Sequence, residues 1–456
     1  YTSITSGIGF ASLAFTPIPP VQVFGLFVGA GIILAFILTI TFIPAYAVRL
    51  SPERLASLRQ RGRRETPDHT SLARGLEALG RFSVRQAHFV ALIFAAALVV
   101  AGYGISQITV NDNPVRWFQA DHEIRVADRV LNAHFAGTYS AYLRLESDVG
   151  EAAPAEFEAA VGSLLDQARA DGVDLAPAWE ALRETAAADA ANFGETLENL
   201  SLAVEDRLFT ADEPAYPWWE ALLERIEQAR GELKYFQRPE VLRYIADFEA
   251  HLAGADEVGK VNTIADLVRT VYRELRSGEP EDYRIPDSRQ AVAQTILSFQ
   301  GSHRPHALWR MVTPDYQAAN LWLQLTSGDN QDMEAAVERA ERYVAENPLP
   351  DGVSMSWGGL NYINVVWQDA MVKGMAQSLA VAWVMVAAMM LLLFRSLVFG
   401  LLAMVPLSIS IALIYGVVGL IGKYYDMPIA VLSSLTLGLS VDFAIHFIER
   451  SRDYYR

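Results

Sequence analysis

The stretch GLSVDFAIHFIER, Gly438–Arg450, puts an acid, Asp442, inside an apolar run and a histidine, His446, one helical turn further on. An ionised carboxylate in the hydrocarbon of a bilayer is costly, so such residues face a helix bundle and serve ion or proton paths by default. Low dielectric disfavours the charged form of a carboxyl group, which suits it to loading and releasing protons near neutral pH. The competing reading is a buried aspartate hydrogen-bonded to its neighbours purely for packing. His446 shares the face of Asp442 by its i+4 spacing. It reads either as a relay to the cytoplasm or as an interfacial residue beside Glu449 and Arg450. Gly438 and Ser440 are small enough to let another helix approach closely, and Phe443 reads as packing. In the first apolar run, Thr2, Ser3, Thr5 and Ser6 offer hydroxyls to an aspartate on a neighbouring helix, or act as packing glue.

An aspartate so placed needs membrane helices around it. A span takes about 20 mostly apolar residues. Six are expected: 2–16, 21–44, 88–107, 374–394, 397–421 and 429–448. Asp442 then lies about 20 Å along the last of them, in its cytoplasmic half. TPIPP (Thr16–Pro20) forces a turn after the first, and Arg395–Ser396 makes a tight hairpin between the fourth and fifth. The chain opens inside one apolar run and stops just after another, as expected of a segment of a longer protein, and no basic stretch precedes the first run to make it a signal peptide.

Hydrophobic residues are 52% of the 456, too many for an ordinary soluble protein and too few for spans alone. The net charge of −16 is unevenly spread: 49–86 has nine arginines against four acids, whereas 109–372 sums to about −23. Arginine-rich short loops stay in the cytoplasm, and large domains cross largely regardless of charge. The expected order is therefore two helices in 1–48, a cytoplasmic linker 49–86, a span in 87–108, an exterior domain 109–372 and three spans in 373–456. With this direction Arg395, Arg450, Arg452 and Arg456 all fall inside.

The exterior segment is expected to be α+β. A short strand at QITV, a turn at NDNP and an amphipathic helix from about Asp121 open it, and TYSAYLRLES alternates like a strand. A helical insertion spans about 151–300. ANLWLQLTSG then reads as a strand, MEAAVERAERYVAEN as a helix and GVSMSWGGLNYINVV as a strand entering the next span. The fold class is thus a polytopic α-helical membrane protein with a large α+β exterior domain.

Other chemistries find little support. With no cysteine there is neither a disulfide nor a thiolate site. His303 and His306 (HRPH) lack a third metal ligand, and GDNQDME (Gly328–Glu334) lacks the central glycine of a calcium loop. Neither a phosphate-cradling Gly-Lys motif nor a Gly-x-Ser-x-Gly elbow occurs. The exterior is too acidic for nucleic acid. No cofactor, metal or enzymatic activity is expected.

The residues GLSVDFAIHFIERSRD (438–453), GFASLAFTPIPPVQVFGLFVGAGIILAFILTITFIPA (9–45), LLFRSLVFGLLAMVPL (392–407) and NPVRWF with HEIRVAD (113–128) resemble the resistance-nodulation-division superfamily. The likeness is to its lipid-exporting branch, with the MMPL and hopanoid transporters and the sterol-sensing and Patched-like relatives. Those proteins have two repeats of one span, an exterior porter domain and five spans. The resemblance implies that this chain corresponds to spans five to ten, with the second porter domain. It further implies that Asp442 matches the proton-relay aspartate of span ten and Phe443 the tyrosine beside it, without the hydroxyl. The partner acid, on span four, would lie before Tyr1. The implied function is proton-antiport export of lipids or other hydrophobic molecules across a prokaryotic cytoplasmic membrane, with the porter domain periplasmic or extracellular. Homo-oligomers, dimers or trimers, are compatible with it. The alternative functions are a lipid or sterol sensor, or an accessory of protein translocation using the same spans.

Overall fold

The computed structural model describes residues 2–16, 18–49, 71–188 and 190–455, so most of the arginine-rich linker lies outside the described residues. The chain begins with helices α1 (Thr2–Ala11), α2 (Pro19–Ala47), α3 (Ser71–Arg85), α4 (Ala87–Ser106) and α5 (Glu123–His134), then strand β1 (Tyr139–Ser147). Helices α6 (Val149–Ala170), α7 (Ala176–Ala188), α8 (Phe193–Leu208), α9 (Tyr216–Leu233) and α10 (Pro239–Ala253) lead to β2 (Val258–Asn262). After α11 (Ile264–Leu275) and α12 (Arg289–Gln300) come β3 (Ala318–Leu325), α13 (Asn330–Glu346) and β4 (Val353–Gly358). Helices α14 (Leu360–Phe394), α15 (Leu397–Leu420) and α16 (Met427–Tyr455) follow. Two compact units result, one of residues 1–113 and 366–456, the other of 114–365.

In the first unit, α2, α4, α14 and α15 are long and apolar enough to cross a membrane, and the chain is a polytopic helical membrane protein. α1 is shorter, continued by a tighter 3-10 turn at Ser12–Phe15. Small residues set the packing. A Cβ on Gly416 would lie 2.5 Å from the Cα of Ala101, and one on Gly104 or Gly419 would meet the carbonyl of Gly416 or Gly104, so α4 and α15 touch backbone to backbone. Arg395 takes φ +48° to reverse α14 into α15, and Ser396 caps the new helix by accepting from the Phe399 N–H at 3.5 Å. Val110 bridges in parallel to Tyr425, whose N–H the Thr109 carbonyl accepts at 2.8 Å, where QITV was expected to form a strand.

In the second unit, four antiparallel strands stand in the order β2-β3-β1-β4, with Leu143 opposite Leu321 and Trp357. β1 alternates as expected, with Ala141, Leu143 and Leu145 buried and their neighbours exposed. α10, α11, α12 and α13 cover the sheet's inner face, and Phe248 stacks on Tyr343 at 4.7 Å. The helical stretch expected over about 151–300 divides. Residues 149–233 build a separate core around Phe157, Trp179, Leu197 and Trp219, whereas α10 to α12 belong to the sheet's core. β2 interrupts the expected helices. NYINVV is helical, because Gly359 at φ +96° turns β4 directly into α14.

Glu249 on α10 is half-buried, accepting from Thr263 at 2.6 Å and Arg269 at 2.8 Å. Burial outweighs both donors and holds this carboxyl above the usual carboxylate range. A folded-state value raised in this way lends stability below the unfolded value, and that stability is lost as pH rises through the folded one. Relative to Glu249→Gln, the wild type should therefore melt at progressively lower temperature as pH rises through and above the usual carboxylate range. The opposite slope would show that the Arg269 pair dominates.

Candidate functional site

α16 presents Asp442 to α1. Thr5 donates from Oγ1 to Asp442 Oδ1 at 3.2 Å, and Ser6 from Oγ to Oδ2 at 3.4 Å. Both hydroxyls are buried, and Asp442 is half-buried. One face of α16, with Ala444, Ile445 and Ile448, packs among Val386 and Met390 of α14 and Met404 and Leu407 of α15. That contact leaves the edge bearing Asp442 turned to α1. α1 is held in turn: Ser378 of α14, fully buried, donates to the Ser12 carbonyl at 2.9 Å. Gly25 gives α2 room against it, since a Cβ there would sit 2.5 Å from the Phe10 carbonyl. Each carboxylate oxygen thus faces one hydroxyl, a donor able to rotate and accept instead.

The other candidates separate around this contact. His446 is exposed one turn on, with no hydrogen bond to Asp442 among the described residues. Phe443 is 80% exposed and stays outside the hydroxyl–carboxylate cluster. Ser440 is half-buried on α16. Gly438 is in the same helix, its surroundings outside the described residues, as are those of the Thr2 side chain. His303 and His306 are exposed around the turn before Arg310. GDNQDME forms the start of α13, where Asp329 takes both Nε and Nη2 of Arg116 and Asp332 takes the Ser327 hydroxyl. Among the described residues no three His, Cys, Asp or Glu side chains come together to hold a metal.

A second polar cluster, unremarked in the sequence, sits at the other end of α16. Asn111, Asp112, Asn113, Gln368 and Asp426 are all at most 6% exposed. Asp112 takes the Met427 N–H at 3.4 Å, and its own N–H goes to Gln368 Oε1 at 3.1 Å. Asp426 takes the Ile429 N–H at 3.1 Å and pairs with Lys423 at 2.8 Å. Two carboxylates therefore cap the positive end of α16. Their signal lay in NDNP and YYDMP, an acid or amide just before a helix start. Asp426→Ala is expected to cost about 1 kcal/mol, seen as roughly fivefold faster amide exchange in the first turn of α16.

Comparison with known proteins places this geometry. The MMPL family matches residues 2–90 and 245–456, which include α1 and α16, whereas α6 to α9 fall between the matched stretches. A membrane protein of Methanocaldococcus jannaschii is 21% identical over 214 residues, 46% of this chain and 52% of that protein. The chain thus spans about half the length of the curated relative it matches. With about two thirds of its residues matched, including both helices that meet at Asp442, the chain belongs to the MMPL family.

Proposed function

We propose that this chain is the membrane and porter portion of a proton-driven exporter of lipids or other hydrophobic molecules, of the resistance-nodulation-division type. The observation that carries the reading is Asp442, set in an apolar helix and met by two hydroxyls from another. Asp442 takes up a proton, loses its charge and weakens its hold on Thr5 and Ser6. α16 is then free to shift against α1, and release of the proton restores the contact. His446 passes the proton between Asp442 and the cytoplasmic side. In this reading the 109–372 segment is the exterior domain of a prokaryotic cytoplasmic-membrane protein, and its acidity sets no cargo charge.

The test is reconstitution of the full-length protein in proteoliposomes with a fluorescent lipid. An imposed pH gradient should drive lipid movement, and a protonophore should stop it. Lipid binding without gradient-driven movement would instead indicate a sensor. Movement indifferent to the gradient would indicate another energy source.

A further inference from the structure

Three arginines from three elements of the second unit converge on a cleft of about 560 Å³: Arg225 on α9, Arg238 just before α10 and Arg289 at the start of α12. They gather around the last turn of α9. Arg225 lies 3.6 Å from the Glu232 carboxylate, and Arg238 donates from Nη2 to the Glu232 carbonyl at 3.1 Å. Gly231 leaves space for the third, since a Cβ there would sit 3.3 Å from Arg289 Nη1. The lining acids are Glu156 and Glu232, so the cleft keeps a net positive charge within a segment, 109–372, that sums to about −23. Such local reversal of sign focuses anions.

Structural duties do not account for all of this charge. Arg238 serves the carbonyl end of α9 and lies over the Tyr235 ring at 4.5 Å, yet its buried Nε has no hydrogen-bond partner. Arg289 forms no ion pair or hydrogen bond with any described residue. It is the first residue of α12, where the helix dipole disfavours a cation. A guanidinium held against the dipole, beside an orphaned N–H, matches the fork that recognises planar or tetrahedral oxyanions. Val149, Ala153 and Ala229 add apolar surface to the lining. The cleft is also far larger than an inorganic anion needs. Most of its lining, α6 and α9 included, lies outside the residues matched by the family.

We infer that this cleft binds an organic phosphoester. Its phosphoryl oxygens take hydrogen bonds from Arg289 and Arg238, and its carbon part rests on Val149, Ala153 and Ala229. Arg225 stays with Glu232 and adds field without direct contact. The ligand is either a soluble phosphoester or the headgroup of a phospholipid. The inference stands apart from the proton reading of Asp442.

The test uses the full chain in nanodiscs of phosphatidylcholine, titrated by calorimetry with glycerol phosphate, dihexanoyl phosphatidylglycerol or inorganic phosphate. Saturable binding of glycerol phosphate or of the short lipid supports the site, and the two arms separate the sources. Arg289→Ala should weaken binding at least about tenfold, the loss of one charged hydrogen bond. Gly231→Val, which keeps every charge but displaces Arg289, should weaken it as well, and exposed Arg342→Ala should change nothing. Thermal unfolding of each variant checks that the fold is retained. Absence of phosphoester binding, equal binding by Arg289→Ala, or inorganic phosphate binding as tightly as the esters would overturn the inference.

Discussion

Asparagine in place of Asp442 should cut gradient-driven lipid movement in proteoliposomes by at least about 10²-fold, the lower range for loss of a proton-transfer group. The substitution is nearly isosteric. Its Oδ1 still accepts from Thr5, and its Nδ2 donates to the Ser6 oxygen once that hydroxyl turns, so the contact between α1 and α16 survives. What disappears is the ability to change charge. If Asp442 served packing alone, the variant would transport as the wild type does. Thr5→Val with Ser6→Ala is the complementary experiment: the carboxyl remains but loses both donors, and transport should fall by less than in Asp442→Asn. Normal transport by an intact Asp442→Asn protein would remove the proton role altogether.

The second large effect is expected from Gly416→Leu. At this position the Cβ alone would lie 2.5 Å from the Ala101 Cα and 2.7 Å from its Cβ. Those are main-chain and first side-chain atoms, with no rotamer to move aside, so the helices themselves must separate. Overpacking of a rigid site costs about 1–3 kcal/mol or more. Opening α4 from α15 would also forfeit the neighbouring contact of Gly104 with Gly419. In a bilayer, where close van der Waals packing rather than water drives helix association, that loss has little to offset it. The yield of monodisperse protein in mild detergent should fall severalfold, while Gly102→Leu, on an open face of α4, should leave it unchanged. Equal yields would mean that the two helices do not need this contact.

Much of the architecture can be read from composition because apolar runs of span length admit few alternatives in α2, α4, α14 and α15. Strands with clear alternation, such as Tyr139–Ser147, are equally plain. β2 is not: Val258–Asn262 is five residues with Gly259 and Lys260 inside, too short for a period to show. The start of α14 was hidden because NYINVV alternates like a strand, and only the positive φ of Gly359 decides the matter. At the site, Asp442 declares itself by being an acid in an apolar run, and Thr5 and Ser6 by being hydroxyls in another. Which hydroxyl meets which oxygen depends on how α1 is held by Ser378 and Gly25, a tertiary fact without local pattern. The capping of α16 by Asp112 escaped because its partner, Met427, is 315 positions away.

The all-helical lobe of residues 149–233 fills its interior with its own side chains, and the sheet, Val149 apart, fills its own without them. Substitutions inside one interior are therefore only weakly felt in the other. Selection can rewrite that lobe, or exchange it for another, at little cost to the strands beside it. Diversification within this lineage should accordingly concentrate there, leaving the helices around Asp442 comparatively constant.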